Sequence, residues 1–380
     1  MSVFRRHFFV LAICACGLAP PRGATAGVAV PAPGDTAVVS PTLPSVVAEP
    51  YFFYRRLDYG SESLVHPLRM IINSGYGIFQ VGARDRRPFK IDYDTGVTNL
   101  WRNVRDPFGS IQHEGWWQFL QAEVIPISFN AKGARYWPNY TQHLIGGGMS
   151  YRLIAEWFRA HDWPHPRWYA VGTMFGSHVL NEIVENNSYV GWTTDPVADL
   201  YLFDPAGVLL FNSDRVARFF GETLHMADWS YQLAFDPWRG TLENGGQNYV
   251  LKLGLPRSER WSLFYHYGTH GEIGFSYTRP DGDCWSAGAG LVAGRLVDLG
   301  DGVKTVDLVP SAGIFYDRNN SLMASVYFAQ TQSYRWRLNL YPGLLRVKSW
   351  APGFFSAIDH NGRVIGGITV RSNSPLGIAF

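Results

Sequence analysis

The C-terminal part of the chain, from Asp228 onward, is built of short segments in which apolar and polar residues alternate. Gly, Asn, Asp and Pro separate these segments, and Asn361-Gly362 is a pair that favours a tight hairpin turn. Alternation with a period of two is typical of strands whose two faces meet different surroundings. The pattern predicts an antiparallel meander of roughly eight to twelve strands, closed into a barrel.

The alternation does not say which face of the sheet is buried. A soluble barrel or sandwich turns its apolar face inward, whereas an outer-membrane barrel turns it toward lipid and keeps a polar lumen. Polar or small residues stand opposite the aromatic positions: Lys252, Ser262, Gly274, Ser276 and Arg337. The last residue, Phe380, resembles the terminal aromatic residue that barrel assembly machinery reads. We therefore expect an α+β protein with an antiparallel, outer-membrane type barrel, and keep soluble β-structure as the alternative.

The N-terminus has the features of an export signal. Arg5, Arg6 and His7 precede a short apolar stretch over residues 8–19, and Ala24-Thr25-Ala26 offers a cleavage site. We expect residues 1–26 to be a signal peptide. An uncleaved anchor, or a lipoprotein that uses Cys16, ranks lower. After such cleavage Cys284 is the one cysteine left, so the mature chain would contain no internal disulfide.

Composition and charge restrict the class of partner. Aromatic residues make up 15% of the 380 residues, which argues against a disordered chain. The formal net charge is +2, which gives no reason to expect nucleic acid as a partner. The expected partners are outer-membrane lipid and barrel assembly machinery. The expected location is the outer membrane, with the periplasm as the alternative.

Four regions follow the predicted signal. Residues 27–69, which start with a stretch rich in Pro, Ala, Val and Ser, are expected to be an extended leader. Residues 70–112 are expected to hold the first strands, around 78–83 and 88–93. Residues 113–227 have helical spacing and helix-start signals, which predict a helical domain. Residues 228–380 complete the chain with the strands of the barrel.

Two long helices are predicted in the helical domain, over residues 138–161 and 166–187. Prolines between them predict an antiparallel hairpin, and one or two short helices follow over 195–211. Residues 115–124 fit a short aromatic helix or strand. The triplet Gly146-Gly147-Gly148 in the middle of a helix predicts close approach of another helix or of a ligand.

The predicted helices also carry a polar cluster. His178, Glu182 and Glu185 are spaced i, i+4 and i+7, so they share one helix face, and His143 lies on the partner helix. Asp199 lies in an otherwise apolar helix, where a buried carboxylate needs a partner. Candidate catalytic residues are therefore His143, His178, Glu182, Glu185 and Asp199. A solvated polar face with an i, i+4 ion pair is the structural alternative. Asp195-Pro196 and Asp204-Pro205 are interpreted as helix starts.

An ordered set of residues within 137–210 resembles a known family. The set comprises Asn139-Tyr140-Thr141-Gln142-His143, Gly147, Tyr151, Asn181-Glu182, Glu185, Asp199-Leu200 and Pro205-Ala206-Gly207. It resembles the bacterial domain-of-unknown-function family 3943 of the Gram-negative envelope, and it is loosely similar to VanZ-like helical proteins. The resemblance implies a shared helical core and an envelope location, and it implies no activity.

Three functions remain open from the sequence. The first is an outer-membrane barrel protein with a helical plug or cap and a structural, transport or lipid-related role. The second is an envelope lipid-modifying enzyme or hydrolase, in which His transfers protons and the carboxylates orient it or hold a metal whose identity the sequence does not give. The third is a soluble periplasmic protein that binds an apolar ligand. The direction of the strand aromatic side chains separates these classes.

Overall fold

The computed structural model describes residues 50–81, 85–125, 136–188, 190–298, 304–331, 333–346, 348, 350–370 and 376–380. The predicted signal peptide and most of the predicted leader lie outside these residues. Up to residue 226 the described chain is helical, and strands follow from Ala227 onward. The protein therefore belongs to the α+β class, as the sequence predicts.

The helical half contains α-helices joined by turns of 3₁₀- and π-helix. The α-helices are α1 (Pro67–Gly75), α2 (Tyr93–Arg105), α3 (Pro107–Glu114), α4 (Trp116–Phe119), α5 (Tyr136–Pro138), α6 (Gly148–Ala160), α7 (Pro166–Glu185), α8 (Asp195–Ala198), α9 (Asp204–Phe211) and α10 (Asp214–Arg218). The π-helical segments are Leu120–Val124, Asn139–Gly147, Asp199–Phe203 and Phe219–Thr223. The helices predicted over 138–161, 166–187 and 195–211 agree with this structure, and 116–124 is helical rather than a strand.

The prediction of first strands in residues 70–112 is wrong. This region contains the 3₁₀ turns Gly77–Gln80 and Pro88–Lys90 and the helix α2. The Asp92 side chain caps α2 by accepting the N–H of Thr95 at 3.1 Å. Short apolar runs do not distinguish a strand from a buried turn, and here the run at Ile78 packs against Leu180 of α7.

The prediction of an extended leader is also wrong where the structure describes it. The Phe52 and Phe53 side chains are buried in the helical core. The backbone N–H groups of Phe52, Phe53 and Tyr54 donate to the buried carboxylate of Glu156 at 2.8–3.0 Å. A 3₁₀ turn at Ser61–Leu64 and helix α1 follow. This segment is ordered because a carboxylate buried in α6 needs donors, and the leader backbone supplies them.

Within its described residues the second half forms one sheet of thirteen strands, which is more than the roughly eight to twelve expected from the sequence. The strands are β1 (Ala227–Asp228), β2 (Ala234–Asp236), β3 (Thr241–Glu243), β4 (Tyr249–Gly254), β5 (Trp261–Tyr267), β6 (His270–Thr278), β7 (Asp283–Asp298), β8 (Lys304–Arg318), β9 (Ser321–Ala329), β10 (Trp336–Leu340), β11 (Pro352–Ile358), β12 (Val364–Val370) and β13 (Gly377–Ala379). From β4 to β13 they form an antiparallel meander; β1 pairs with β4, and the β2–β3 hairpin joins β13 in parallel.

The chain connection between β1 and β2 shows that the sheet is strongly curved. Along the sheet, β1 and β2 lie eleven strand positions apart, which in a flat sheet would be about 53 Å. Along the chain they are joined by residues 229–233, and the path from Asp228 to Ala234 spans at most about 22 Å. The sheet therefore bends its two ends toward each other, although strand pairing does not close it.

The two faces of this curved sheet differ in polarity. The large side chains on its exposed face are apolar, among them Trp261, Leu263, Ile273, Phe275, Trp285, Leu291, Ile314, Val326, Trp336 and Leu338. The buried face mixes aromatic with polar side chains, and the polar ones include Lys252, His266, Glu272, Ser276, Asp317, Ser325, Arg337 and Asn339. The alternation seen in the sequence is thus real, and its apolar side points outward.

The space enclosed by the sheet is filled by the protein itself. Trp229, from the segment that joins β1 to β2, is fully buried and packs on Phe264 and Phe315 with ring centroids 5.6–6.0 Å apart. The helical half contacts the sheet through a hydrogen bond of 2.7 Å between Ser150 and Tyr249. Across the described ranges, none of the helices combines the length and the hydropathy needed to cross a bilayer.

Candidate metal site in the helical half

Four segments bring the site residues together. His143 lies in the π-helical segment Asn139–Gly147, and His178 lies in α7. Asp199 opens the π-helical segment Asp199–Phe203, and Asp204 is the first residue of α9. A π-helical turn inserts an extra residue and re-aims the side chains around it, and such turns are frequent at functional sites.

A close helix crossing fixes the relative position of these segments. A Cβ atom added to Gly148 would lie 2.7 Å from the backbone oxygen of Gly207, and one added to Gly207 would lie 2.7 Å from that of Leu144. Only glycine permits this approach of two backbones. The crossing explains part of the glycine triplet and holds His143 next to the start of α9.

Asp204 joins the two histidines. Its Oδ1 atom lies 3.0 Å from Nδ1 of His143 and 2.6 Å from Nδ1 of His178. The centroids of the two imidazole rings are 4.7 Å apart. Each ring can donate its Nδ1–H to the same carboxylate oxygen, which orients the ring and leaves Nε2 for another contact. Metal-binding histidines typically use a carboxylate in this way.

The second nitrogen of His143 faces a group of carboxylates. Its Nε2 atom lies 3.3 Å from Oδ2 of Asp199. One carboxylate oxygen from each of Glu182, Asp195 and Asp199 lies within 4.8 Å of the other two. The side chain of Asn186 donates to Oε2 of Glu182 at 3.1 Å, which orients that carboxylate. The His143 imidazole therefore lies beside one member of a cluster of three carboxylates.

The pKa values of these groups show an excess of negative charge. Burial, together with the neighbouring Asp195 carboxylate, raises the pKa of Glu182 and of Asp199 well above their usual range. Burial alone would lower the pKa of His143, but the neighbouring carboxylates of Asp204, Glu182 and Asp195 together more than offset this and raise it. Burial opposes ionisation of Asp204, yet His178 and His143 hold its pKa below its usual range. Carboxylates buried together in this way are stabilised by a bound cation.

Two carboxylate oxygens in the cluster have unused hydrogen-bonding capacity. Oδ1 of Asp199 and Oδ2 of Asp204 are buried and have no hydrogen-bond partner among the described residues. A buried carboxylate oxygen without a donor is costly, and a metal ion satisfies it. A ligand set of carboxylate oxygens with one imidazole suits Mn²⁺ or Zn²⁺.

The structure brings together four of the five predicted site residues: His143, His178, Glu182 and Asp199. Glu185 is half-buried and acts on this group through its charge, since it raises the pKa of Glu182 and Asp199. Sequence reasoning missed Asp195 and Asp204 because each precedes a proline and was interpreted as a helix start. Asp204 does not cap a helix. The chain enters α9 directly from the preceding π-helical segment, and the Asp204 carboxylate faces the two histidines.

No protein-family model, curated protein or solved structure matches this chain. The resemblance seen within residues 137–210 therefore stays a prediction.

Proposed function

We propose that the protein is an outer-membrane β-barrel protein whose helical half caps or plugs the barrel, with a structural or lipid-related role. The observation that carries this proposal is the polarity of the sheet. Large apolar side chains such as Ile273 and Ile314 are 63% and 56% exposed, whereas Glu272 and Asp317 are almost fully buried. A soluble sheet has the opposite arrangement, because its apolar face drives burial in water.

The curvature and the filled interior support the same proposal. Closing a sheet into a barrel leaves no unpaired edge in lipid, and the β1–β2 connection brings the sheet ends close together. Trp229 and the buried ion pair of Lys252 with Asp317 at 2.6 Å occupy the enclosed space. A filled lumen favours a structural or lipid-related role over transport through an open pore.

The helical half adds a further lipid-compatible surface. It exposes many large aromatic side chains, including Trp101, Phe108, Trp116, Trp117, Trp137 and Trp168. Tryptophan is enriched where a membrane protein meets the headgroup region. We propose that these side chains lie against that region, with the cap resting on the membrane surface.

Arginine substitution on the exposed face of the sheet tests the proposal. Ile273→Arg and Ile314→Arg place a charge where lipid is expected, which costs about 2–4 kcal/mol near the bilayer midplane. We expect both variants to lose membrane-inserted protein, measured by fractionation and by heat-dependent gel mobility. His360→Arg, in the exposed turn after β11, is the matched control and should insert normally. Wild-type protein recovered in the soluble periplasmic extract would contradict the proposal.

A second candidate function rests on the helical metal site. The cluster of Glu182, Asp195 and Asp199, with His143 Nε2 beside Asp199, suits an envelope lipid-modifying enzyme or hydrolase. A bound divalent cation would polarise a carbonyl or phosphoryl oxygen, and His143 would hold or transfer a proton. Metal analysis of the wild type against Asp199→Asn, with Glu222→Gln as an exposed control, tests this function. Equal metal content in the two variants would contradict it.

A further inference from the structure

We propose that the sheet holds a second metal site, in which His266 Nδ1, His270 Nε2 and Glu272 Oε2 bind a zinc-type divalent cation. These residues lie on the neighbouring strands β5 and β6, on the buried face of the sheet. They belong neither to the helical site nor to any motif recognised in the sequence. The inference does not depend on the membrane location.

The strand register places the three side chains side by side. His266 is directly paired with Glu272 across the β5–β6 hairpin, and His270 opens β6. His266 and Glu272 are fully buried, and His270 is 7% exposed. The antiparallel pairing therefore points two imidazoles and one carboxylate into the same enclosed volume.

The three atoms lie at the spacing of ligands around one ion. Nδ1 of His266 is 2.9 Å from Oε2 of Glu272 and 2.9 Å from Nε2 of His270. Nε2 of His270 is 3.6 Å from the same carboxylate oxygen. Ligand atoms at about 2.0–2.1 Å from a tetrahedral zinc ion are about 3.3–3.5 Å apart. A small adjustment of the side chains would complete such a site.

Hydrogen bonds alone do not account well for this arrangement. Nδ1 of His266 carries either one proton or one lone pair, yet it faces two close atoms. If it carries the proton, two acceptors share that proton. If Nδ1 carries the lone pair and accepts a hydrogen bond from Nε2 of His270, that lone pair also faces the lone pairs of the Glu272 carboxylate, which repel it. A cation among the three atoms satisfies all three lone pairs at once.

The surroundings orient the Glu272 carboxylate as a metal site requires. Oε1 of Glu272 accepts hydrogen bonds from the hydroxyl groups of Ser311 and Tyr327, each at 2.7 Å. These bonds hold the carboxylate in its ionised form and aim Oε2 at the histidines. Nε2 of His266 has no hydrogen-bond partner among the described residues. When Nδ1 binds the cation, the ring proton of His266 therefore lies on a buried nitrogen that faces no acceptor among these residues.

Zinc stoichiometry and coordination test the inference in the full chain. The helical half is first disabled with His143→Gln and Asp199→Asn, which remove one ligand from each of its two clusters, so that zinc retained by this double variant reports on the sheet. We expect one equivalent of bound zinc, with X-ray absorption showing two imidazoles and oxygen. Adding His270→Gln should remove that equivalent, whereas adding His360→Gln, at an exposed turn, should leave it.

Two results would overturn the inference. One is a double variant that holds no zinc, or holds it with a single imidazole. The other is unchanged zinc content after His270→Gln. If the His270→Gln chain does not fold, the X-ray absorption spectrum of the double variant decides the question, since with His143 replaced the sheet cluster is, among the described residues, the one that provides two imidazoles with a carboxylate.

Discussion

The Nε2 atom of His143 lies 3.3 Å from Oδ2 of Asp199, between two parts of the helical half that are 56 residues apart in sequence. On the other side of the same ring, Nδ1 contacts Asp204 at 3.0 Å. One imidazole thus bridges two buried carboxylates. Because the carboxylate next to Nε2 has a raised pKa, the cluster should respond to both protons and cations.

The stability of the metal-free protein should fall as pH rises toward 8. The folded-state pKa values of Glu182 and Asp199 are raised, so their protons are retained above the unfolded values of about 4, and further rise in pH destabilises the fold. The raised pKa of His143 stabilises the fold below about 6.5, and this contribution is lost as pH rises through the folded pKa. The lowered pKa of Asp204 stabilises the fold above about 4. Because Asp204 gives no further gain above about pH 4, where Glu182 and Asp199 begin to lose stability, the thermal unfolding temperature should be highest near pH 4 and fall toward pH 8.

Divalent metal should restore stability at high pH. With free metal a hundredfold above the dissociation constant, we expect about 2.7 kcal/mol of stabilisation at pH 8 and less at pH 5, where protons compete. Asp199→Asn should remove the part of this shift that comes from the helical site, while Glu222→Gln at an exposed position should retain the whole shift. A metal effect that is equal at both pH values would contradict the assignment.

Two glycine substitutions should have opposite effects on stability. Gly148→Ala places a Cβ atom 2.5 Å from the Phe211 ring and 2.7 Å from a backbone oxygen, so it should cost about 1–3 kcal/mol. Gly176→Ala, in the exposed middle of α7, meets no atom within 4 Å and should stabilise by about 0.5–1 kcal/mol. Chemical denaturation measures both. Equal changes in the two variants would show that the crossing of α6 and α9 does not require glycine.

Loss of the Glu156 carboxylate charge should release the segment that precedes the helices. Three backbone N–H groups and Nε of Arg152 donate to this carboxylate, all at 2.8–3.0 Å. Glu156→Gln weakens these charge-assisted hydrogen bonds and should cost about 2–3 kcal/mol. Limited proteolysis should then cleave near residues 50–56 faster than in wild type. Unchanged protection would mean that Phe52 and Phe53 hold the segment through packing alone.

The buried ion pair of Lys252 with Asp317 should be sensitive to removal of one partner. Nζ of Lys252 lies 2.6 Å from Oδ2 of Asp317, and both side chains are at most 6% exposed. Lys252→Met leaves a buried charge unpaired and should cost about 3–5 kcal/mol, whereas Lys252→Met with Asp317→Leu should recover much of it. Arg218→Ala removes an exposed pair with Glu222 and should change stability by less than about 1 kcal/mol. Unfolding experiments that show no recovery in the double variant would indicate a specific role for the pair.

Local patterns in the sequence determined much of the secondary structure. Period-two alternation from Asp228 onward predicted strands, and helical spacing placed α7 with His178 and Glu182 on one face. These predictions succeed because a residue's direction along a strand or helix depends on its neighbours in the chain. They failed at residues 78–93, where short apolar runs are compatible with strands and with buried turns alike.

Only the tertiary structure decided which face of the sheet is buried and which carboxylates meet the histidines. The period of a strand is the same whether its apolar side faces a core or the outside, so exposure of Ile273 and Ile314 follows from curvature and filling of the sheet. Asp204 looked like a helix cap because its role depends on His143, 61 residues away. Contacts of that kind are set by packing between helices, such as the crossing at Gly148, and not by spacing along the chain.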